Sequence, residues 1–410
     1  MNFTKLMVAL VLVILLFSCT GEDKGEFSFT NYSELEKTAM GSTVSFYMWG
    51  GSPQINTWVG DHLGRVLQEK YEITLKMVPL NDASEFINKL ATEKLANLES
   101  GSADLIWING ENFKNARQAD LLYGPYVENL PNFDAFTDST VGEYDFGFPV
   151  QGYEAPYGKA QFVFEWDSAS FDTPPASFSE LKDWIKANPG RFTYPQPPDF
   201  TGSAFLRQLF YETSGGWEQF FEGFDGENID LELFQKHEQK LWDYLNEIEP
   251  FLWQEGRSYP KTITVLETLF SSGEVDFAMY YSPSHASGKI LEGEYRESVR
   301  TFVMDGNSIS NTHFTAIPFN APNKAGALVV SNLLLSPEVQ LSKADPVNWG
   351  DLPVVSYQKL SEAQKGEFDE LDFGVATLPV SVLSSNSVPE IPSGYVELIE
   401  NGWEANVLNK

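Results

Sequence analysis

Residues 104–113 read Asp-Leu-Ile-Trp-Ile-Asn-Gly-Glu-Asn-Phe, and this stretch decides the fold class. Its continuous apolar run, residues 105–108, is typical of a strand that is buried on both faces of a parallel sheet. The polar turn that follows leads into a helix, so free backbone N–H groups lie at the sheet's carboxyl edge, where open α/β folds bind ligands. An ordinary βα turn would have the same pattern. The candidate ligand-binding residues at this turn are Asn109, Gly110, Glu111 and Asn112.

The segments before this stretch predict a sheet of parallel strands. Strand patterns at 43–49 and 73–78 alternate with helix patterns at 56–70 and 84–98. Strands that alternate with helices form parallel sheets with right-handed crossovers. The stretch at 104–108 supplies the third strand of this sheet.

The rest of the sequence predicts a second α/β unit and a return to the first. The later strand patterns lie at 160–166, 191–195, 276–281, 299–304 and 312–318. We expect residues 43–150 and 305–410 to form lobe one and residues 151–304 to form lobe two. The hinges between the lobes are then expected near 150–152 and 307–312.

Composition narrows the class of partner. The chain has 410 residues, of which 42% are hydrophobic, and this is ample for sizeable cores. It has 58 acidic against 27 basic residues, a formal net charge of −31. Such acidity argues against nucleic acid and against an anionic bilayer surface as the main partner.

The N-terminus has the pattern of a bacterial targeting signal. Lys5 precedes an apolar run at residues 6–17 that is too short to span a bilayer comfortably. The run ends in Leu-Phe-Ser-Cys, a lipobox pattern, and Cys19 is the only cysteine of the chain. We therefore expect residues 1–19 to be a lipoprotein signal peptide with Cys19 as the lipidation site. The alternative is a standard secretory signal that is cleaved nearby.

Residues 20–42 are rich in Glu, Lys, Ser, Thr and Gly, which predicts a flexible tether or an added surface helix at 32–40. With a lipid anchor, the protein would lie outside the cytoplasm, in the periplasm or at the cell surface, attached to a bacterial membrane.

The common enzymatic motifs are absent from the sequence. There is no Gly-x-Ser-x-Gly elbow, no Walker loop and no His-Glu-x-x-His helix. The histidines, which lack the spacing of zinc ligands, are His62, His237, His285 and His313. Carboxylates are numerous enough to leave a glycosidase pair, and hence an envelope carbohydrate-active enzyme, as an alternative. A structural adhesin is a third possibility.

Further polar and aromatic residues follow predicted strands or crossovers and point to one cleft. These candidates are Trp49, Gly50, Tyr153, Glu154, Tyr194, Thr201, Gly202, Ser203, Tyr281, Ser282, Ser308, Asn311 and His313. Thr201, Gly202 and Ser203 begin a helix after a proline-rich turn, which predicts an anion site at the helix N-terminus. Each residue alone also fits a cap, a turn or a core aromatic.

Four stretches carry a resemblance to a known family. They are Trp-Ile-Asn-Gly-Glu-Asn-Phe (107–113), Glu-Ala-Pro-Tyr-Gly-Lys-Ala-Gln-Phe (154–162), Gly-Arg-Phe-Thr-Tyr-Pro followed by Pro-Pro-Asp-Phe-Thr-Gly-Ser (190–195 and 197–203), and Asn-Thr-His-Phe-Thr-Ala-Ile-Pro-Phe-Asn-Ala-Pro-Asn-Lys-Ala-Gly-Ala (311–327). Together with the lipobox, they resemble the YnjB-type branch of the type II extracytoplasmic solute-binding proteins, the substrate-binding lipoproteins of ABC importers. The resemblance covers residues 43–400.

The resemblance implies a two-lobed type II periplasmic-binding-protein-like α/β fold. Each lobe would be a mainly parallel sheet flanked by helices, with hinge crossovers and a helical C-terminal region. It also implies a monomer that closes on a small solute and delivers it to a membrane permease and ATPase. Neither turnover, a metal nor a cofactor is expected.

The ligand is left open by the resemblance, because superfamily relatives bind thiamine, polyamines, ferric iron and sugars. The candidates that would suit a cation carrying a ring or an amine are Trp49, Tyr153, Tyr281, Glu111 and Glu154. Tyr280 and Tyr281 face opposite sides of a predicted strand, which disfavours a tyrosine pair for ferric iron. We therefore expect a thiamine-like or other amine ligand.

Overall fold

In the computed structural model, the described residues are Phe29, 31–138 and 141–410. The predicted signal peptide and its lipidation site, Cys19, lie outside them. From Asn31 to Lys410 the chain forms one compact unit. None of the helices in the described ranges is long and apolar enough to cross a membrane.

The strands form two main sheets and one short additional pair. They are β1 (Thr43–Trp49), β2 (Thr74–Leu80), β3 (Leu105–Ile108), β4 (Leu122–Tyr123), β5 (Tyr144–Asp145), β6 (Phe148–Pro149), β7 (Glu154–Gln161), β8 (Val163–Asp167), β9 (Phe277–Tyr280), β10 (Val299–Phe302), β11 (Ser308–Pro318) and β12 (Ser387–Pro389).

The helices surround these sheets. They are α1 (Tyr32–Ala39), α2 (Pro53–Thr57), α3 (Gly64–Tyr71), α4 (Ala83–Leu95), α5 (Gly110–Gln118), α6 (Pro131–Phe136), α7 (Phe178–Ala187), α8 (Phe200–Ser214), α9 (Leu231–Ile248), α10 (Ile263–Ser271), α11 (His285–Leu291), α12 (Lys324–Leu334), α13 (Pro337–Ala344), α14 (Glu362–Asp369), α15 (Val380–Asn386) and α16 (Ser393–Trp403). A π-helical segment, Trp58–Leu63, joins α2 to α3, and a second, Glu404–Leu408, extends α16.

The larger sheet has the order β12-β11-β3-β1-β2, with β4 and β7 also paired to β11. Strand β1 pairs in parallel with both β2 and β3, so the predicted parallel sheet is confirmed. The long strand β11 runs antiparallel to β3 and β7 and parallel to β12. Strand β3 is central, and its Leu105, Ile106 and Ile108 are buried, as its apolar run predicted.

The predicted strand at 160–166 is wrong in one respect, because it is two strands in different sheets. Strand β7 belongs to the larger sheet and β8 to the smaller one, and the chain passes between them at Phe162. The Phe162 N–H donates to the Ile309 carbonyl at 2.8 Å, so even the junction is paired with β11. A continuous apolar pattern shows burial but not a change of partner.

The predicted strand at 191–195 is not formed. The Arg191 carbonyl accepts from the Asp276 N–H at 2.8 Å, and the Phe192 carbonyl accepts from the Trp253 N–H at 2.8 Å. These partners lie in separate segments, so no single neighbouring strand extends along this stretch. It remains extended and buried without joining a sheet.

The smaller sheet, of order β10-β8-β9, also differs from the expected parallel arrangement. Strand β8 is antiparallel to both of its neighbours. Strands β9 and β10 therefore run in the same direction on either side of β8, connected through α11. Side-chain periodicity fixes which faces are buried but carries no information about the direction of the neighbouring strand.

The C-terminal helix α16 packs into the same hydrophobic core as α8 and α9, through side chains such as Tyr395, Ile399 and Trp403. It also contacts α5, at the turn after β3.

Two alternatives were expected for the segment before β1, a flexible tether or a surface helix. The structure has a helix there, α1, which packs against α12. The division into lobe one (43–150 and 305–410) and lobe two (151–304) remains a prediction. It separates α16 from α8, its partner in the core.

Candidate functional site

The turn after β3 is shaped by Gly110. Its φ of 60° lies in the left-handed region, and a Cβ there would come within 3.2 Å of the Phe146 ring. Glycine therefore fits this position for two reasons. The Gly110 N–H donates to the Asp145 carboxylate, so one donor of the predicted ligand-binding turn is already used by the chain. Asn109 is the N-cap of α5, and Asn112 in its first turn is half-buried.

Glu111 lies in the first turn of α5, beside α16. Burial, and after it the negative charge of Glu400, raises the pKa of the Glu111 carboxyl to about 7, against a smaller opposing effect of Arg207. Within the described residues, no side chain forms a hydrogen bond or an ion pair with this carboxylate. Glu111 is thus a half-buried acid without a cation of its own.

The N-terminus of α8 is closed by the chain itself. The Asp199 side chain accepts hydrogen bonds from the Thr201 and Gly202 N–H groups, each at 3.0 Å, and from the Ile263 N–H at 2.9 Å. The predicted anion site at Thr201 and Gly202 therefore already has a carboxylate bound to its donors. A Cβ on Gly202 would lie 2.0 Å from the Pro195 carbonyl oxygen, so this glycine permits close packing.

About two turns further along α8, Arg207 is held by a buried carboxylate. Its Nε and Nη2 donate to the two oxygens of Glu390 at 2.9 and 3.0 Å. Its Nη1 donates to the Ser203 hydroxyl at 2.7 Å, and Ser203 donates to Glu400 at 2.6 Å. The Tyr281 hydroxyl donates to the same Glu390 carboxylate. These bonds form a continuous chain from α16 to the end of β9.

Two phenylalanine rings flank the guanidinium group. The Arg207 Cζ atom lies 5.5 Å from the Phe146 ring centre and 5.3 Å from that of Phe200. Phe200 is 39% exposed, although it is also 5.0 Å from the Tyr281 ring. An exposed aromatic face beside buried charges offers a surface on which an apolar or cationic group can pack.

We call this assembly the Arg207 cluster; it comprises Glu111, Phe146, Phe200, Ser203, Arg207, Tyr281, Glu390 and Glu400. Three of its members, Glu111, Ser203 and Tyr281, are among the residues predicted from the sequence. Burial is the main cause of the raised pKa of the Glu400 carboxyl, and the Ser203 hydrogen bond opposes it. The cluster therefore contains two carboxylates, Glu111 and Glu400, that hold protons more tightly than usual.

Four predicted candidates lie elsewhere and have structural partners. Tyr194 is fully buried, stacks on Phe205 and accepts a hydrogen bond from Trp403. The Ser308 hydroxyl donates to the Phe162 carbonyl. His313 lies 2.9 Å from Asp351 and packs against Trp107 and Trp349. Gly50 donates to the Leu80 carbonyl at 2.9 Å.

Glu154 and Tyr153 form a separate group near α5. Glu154 is completely buried, and in the described part of the structure neither of its carboxylate oxygens has a hydrogen-bond partner. Burial, followed by the charge of Asp145, raises the pKa of the Glu154 carboxyl well above its ordinary value. The ring of Tyr153 is covered by the Arg117 guanidinium at 3.3 Å. Arg117 therefore occupies the cation–π face that was predicted for a ligand.

The three remaining candidates are Trp49, Ser282 and Asn311. Trp49 is partly buried against the core that contains α8. The Ser282 hydroxyl and the Asn311 amide are buried, and the described residues provide no hydrogen-bond partner for either. Buried polar atoms of this kind are often satisfied by a water or a ligand.

The sequence did not reveal Arg207, Glu390, Glu400, Phe146 or Phe200 as site residues. Ser203 and Arg207 are four positions apart on one helix, so their contact could have been read from helical spacing. Glu390 is 183 residues from Arg207, and nothing in the local sequence links the two.

A surface groove of about 590 Å³ lies away from the Arg207 cluster. Its lining residues are Glu128, Asn129, Leu130, Pro131, Phe133, Asp134, Thr137 and Lys359. None of the predicted site residues is among them. Across the described ranges, no group of three or more His, Cys, Asp or Glu side chains is arranged to hold a metal ion.

Sequence comparison identifies the family. The profile of the family described as bacterial extracellular solute-binding protein matches residues 65–363. Protein YnjB of Escherichia coli (strain K12) is 36% identical over 375 residues, which cover 91% of this chain and 93% of that protein. The chain belongs to the bacterial extracellular solute-binding protein family.

Solved structures of bacterial transport proteins share the fold of this chain, although their sequence identity to it is low. An ABC transporter structure from Clostridium perfringens ATCC 13124 is 18% identical with a TM-score of 0.58, covering 89% of this chain and 99% of that one. A periplasmic thiamin binding protein is 15% identical with a TM-score of 0.58, covering 89% and 96%. The predicted two-lobed type II periplasmic-binding-protein-like fold is confirmed, apart from the antiparallel smaller sheet.

Membership gives the protein its general role, an extracytoplasmic solute-binding protein of an ABC transporter. A small-molecule ligand and a permease partner follow from that role. The alternative of a carbohydrate-active enzyme is not supported, because the family and the structural neighbours are transporter binding proteins rather than enzymes.

Proposed function

We propose that this solute-binding protein captures a small organic cation, thiamine-like or another amine, and delivers it to its permease. The observation that carries this proposal is the Glu111 carboxylate, which is half-buried next to Glu400 and has no cation among the described residues. Arg207 does not neutralise Glu111, because both donor edges of its guanidinium are bound to Glu390 and Ser203.

A cationic ligand would restore the charge balance of this site. Removing two carboxylates partly from water raises their free energy, and the charge of Glu400 further raises the pKa of Glu111. An ammonium or thiazolium group between them would stabilise both ionised forms, with a charge-assisted hydrogen bond where the ligand has an N–H. The exposed face of Phe200 would pack against a ring or an alkyl chain of the same ligand. The thiamin binding protein with this fold supports the choice of ligand class.

We also propose how the protein operates at the membrane. After removal of the signal peptide (1–19), lipid on Cys19 would anchor it to the bacterial envelope, in the periplasm or at the cell surface. The monomer would close lobe two (151–304) onto lobe one (43–150 and 305–410) by hinge motion at 150–152 and 307–312. Closure would bury the solute and present the complex to the permease and ATPase, without chemical turnover.

A ligand screen tests the proposal. Native mass spectrometry of the purified soluble domain comes first, to detect a solute that is carried through purification. A thermal-shift panel of thiamine and its phosphates, diamines, betaines, sugars and ferric salts follows. A ligand of the folded state at about a hundredfold excess over its Kd adds about 2.7 kcal/mol of stability. We expect a shift in melting temperature with at least one organic cation.

Glu111→Gln should abolish that shift. Glu232→Gln is the matched control, because Glu232 also lies in the first turn of a helix, α9, but is exposed to solvent. A response to sugars or anions alone, or an unchanged cation response in Glu111→Gln, would overturn the proposed ligand class. Product formed from any panel member would argue for an enzyme instead.

A further inference from the structure

The Arg207–Glu390 pair is the most completely buried charge contact in the Arg207 cluster. The side chains of Arg207 and Glu390 are 1% and 2% exposed, and two parallel hydrogen bonds join them at 2.9 and 3.0 Å. The two residues come from α8 and from the segment between β12 and α16. The pair therefore holds together elements that are distant in the sequence.

The chemistry of Arg207 is that of an anion receptor. A guanidinium group presents its donors in a planar fork that matches a carboxylate or phosphate, and Phe146 and Phe200 flank this one. Glu390 occupies that fork with the geometry of a bound carboxylate ligand. The Tyr281 hydroxyl, which donates to Glu390, adds a third hydrogen bond to the same carboxylate.

The position of the pair connects it to the proposed ligand site. Ser203 accepts from Arg207 at 2.7 Å and donates to Glu400 at 2.6 Å. The charge of Arg207 also reaches Glu111, where it favours the ionised carboxyl. Were Arg207 not neutralised, its positive charge would repel a cation at Glu111 and attract an anion.

We propose that Glu390 is a specificity-determining residue, an internal carboxylate that fills the anion-binding fork of Arg207 and so makes the site select cations. This inference rests on the proposed function and names the origin of its charge preference. Glu390 acts through Arg207 and does not itself contact the solute. A purely structural pair would have no influence on which ligand charge the site accepts.

Formate, a minimal carboxylate, is the probe for the test. Glu390→Ala leaves the Arg207 fork empty, and its melting temperature should be lower than that of the wild type. We expect formate to raise that temperature by about 2 °C at a concentration roughly tenfold above its Kd, and to leave the wild type unchanged. Chloride at equal ionic strength is the salt control.

Two further variants keep the test decisive. Glu390→Gln has the shape of the wild type and covers the case in which Glu390→Ala does not fold. We expect it to bind the responding cation about tenfold more weakly, because one negative charge is lost. Its amide still fills the fork, so it should not respond to formate. The double variant Arg207→Met/Glu390→Leu replaces the pair with apolar side chains, a change that is often tolerated. It should show no response to formate.

Four results would overturn the inference. They are a folded Glu390→Ala that ignores formate, a folded Glu390→Gln that binds the cation as tightly as the wild type, a wild type that responds to formate equally, and a double variant that still responds. The proposed function fails differently, if no organic cation shifts the wild type. In that case the role of Glu390 in selecting cations is overturned as well, whereas a missing formate response with a cation-binding wild type overturns this inference alone.

Discussion

Two buried charge clusters of this protein differ in how their carboxylates are neutralised. Beside the smaller sheet, His285 of α11 lies between Glu165 of β8 and Glu267 of α10, with nitrogen-to-oxygen distances of 2.8 and 2.6 Å. Tyr280 stacks on the imidazole at 3.6 Å between ring centres, and Tyr295 donates to Glu165 at 3.1 Å. In the Arg207 cluster, Glu390 has its arginine, but Glu111 and Glu400 have no cation within the described residues.

The difference is the one expected between a structural cluster and the proposed binding site. Burial alone would lower the pKa of His285, but the charges of Glu165 and Glu267 raise it to about 9, so the imidazolium is fixed in place. The surroundings of Glu111 instead disfavour its charged form. Burial and the negative charge of Glu400 raise the pKa of its carboxyl to about 7. A site that awaits a cation is expected to contain carboxylates that are poorly compensated without it.

The largest loss of stability is expected when one partner of a fully buried ion pair is removed. Asp351 is 1% exposed and forms ion pairs with Lys343 and His313. Asp351→Ala should reduce the free energy of unfolding by about 3–5 kcal/mol, because it leaves the Lys343 ammonium buried without its partner. Urea denaturation measures this, with Glu232→Gln as a surface control that changes it by at most about 0.5 kcal/mol. A loss as small as that of the control would contradict the assignment of a structural role.

The His285 cluster should make stability depend on pH. The pKa of His285 is about 9 in the folded protein against an ordinary value of 6.5, so its contribution is full below pH 6.5. It is lost as the pH rises through 9, by up to about 3 kcal/mol. Urea denaturation at intervals from pH 6 to pH 10 should show this decline, and His285→Gln should remove that component. An identical pH profile in the variant would mean that His285 is not the titrating group.

A smaller effect is expected at Glu111, where the substitution should stabilise the protein, in contrast to Asp351→Ala. Its raised pKa means that the folded protein holds this proton more tightly than the unfolded chain, so stability falls as the pH rises from 4.5 to about 7. Without solute, Glu111→Gln should therefore be more stable than the wild type at pH 8, by about 1 kcal/mol after allowance for solvent screening. Thermal melting of the wild type and of Glu111→Gln at pH 8 checks this. A less stable variant would show that Glu111 supports the fold rather than the site.

The same contrast explains what the sequence could reveal. The strands β1 and β3 and the turn at Gly110 were predictable, because burial periodicity and a glycine turn are local signals. Glu111, which follows Gly110 in this turn, remains a predicted ligand-binding residue. Tyr194 was misplaced because a strand end and a core position have the same local pattern, and only packing on Phe205 distinguishes them.

The rest of the site depends on long-range contacts. Arg207 and Glu390 come into contact only when α8 and the segment before α16 pack in one core. The sequence around either residue contains no pattern that predicts this contact. The closure of the α8 N-terminus by Asp199 follows the ordinary rule for N-caps and could have been read from Asp-Phe-Thr-Gly. The antiparallel pairing of the smaller sheet could not have been predicted in this way, because the path of the intervening helices sets the direction of each strand.

The most direct test of the account is the affinity for the responding cation as a function of pH. The cation is chosen so that its own charge is constant from pH 6 to pH 8. Because the ligand favours ionised Glu111, whose pKa is about 7, affinity should rise about tenfold over this interval in the wild type. Glu111→Gln should bind weakly and without that rise. A wild-type affinity that does not change with pH, or a variant that binds as tightly, would contradict cation recognition at Glu111.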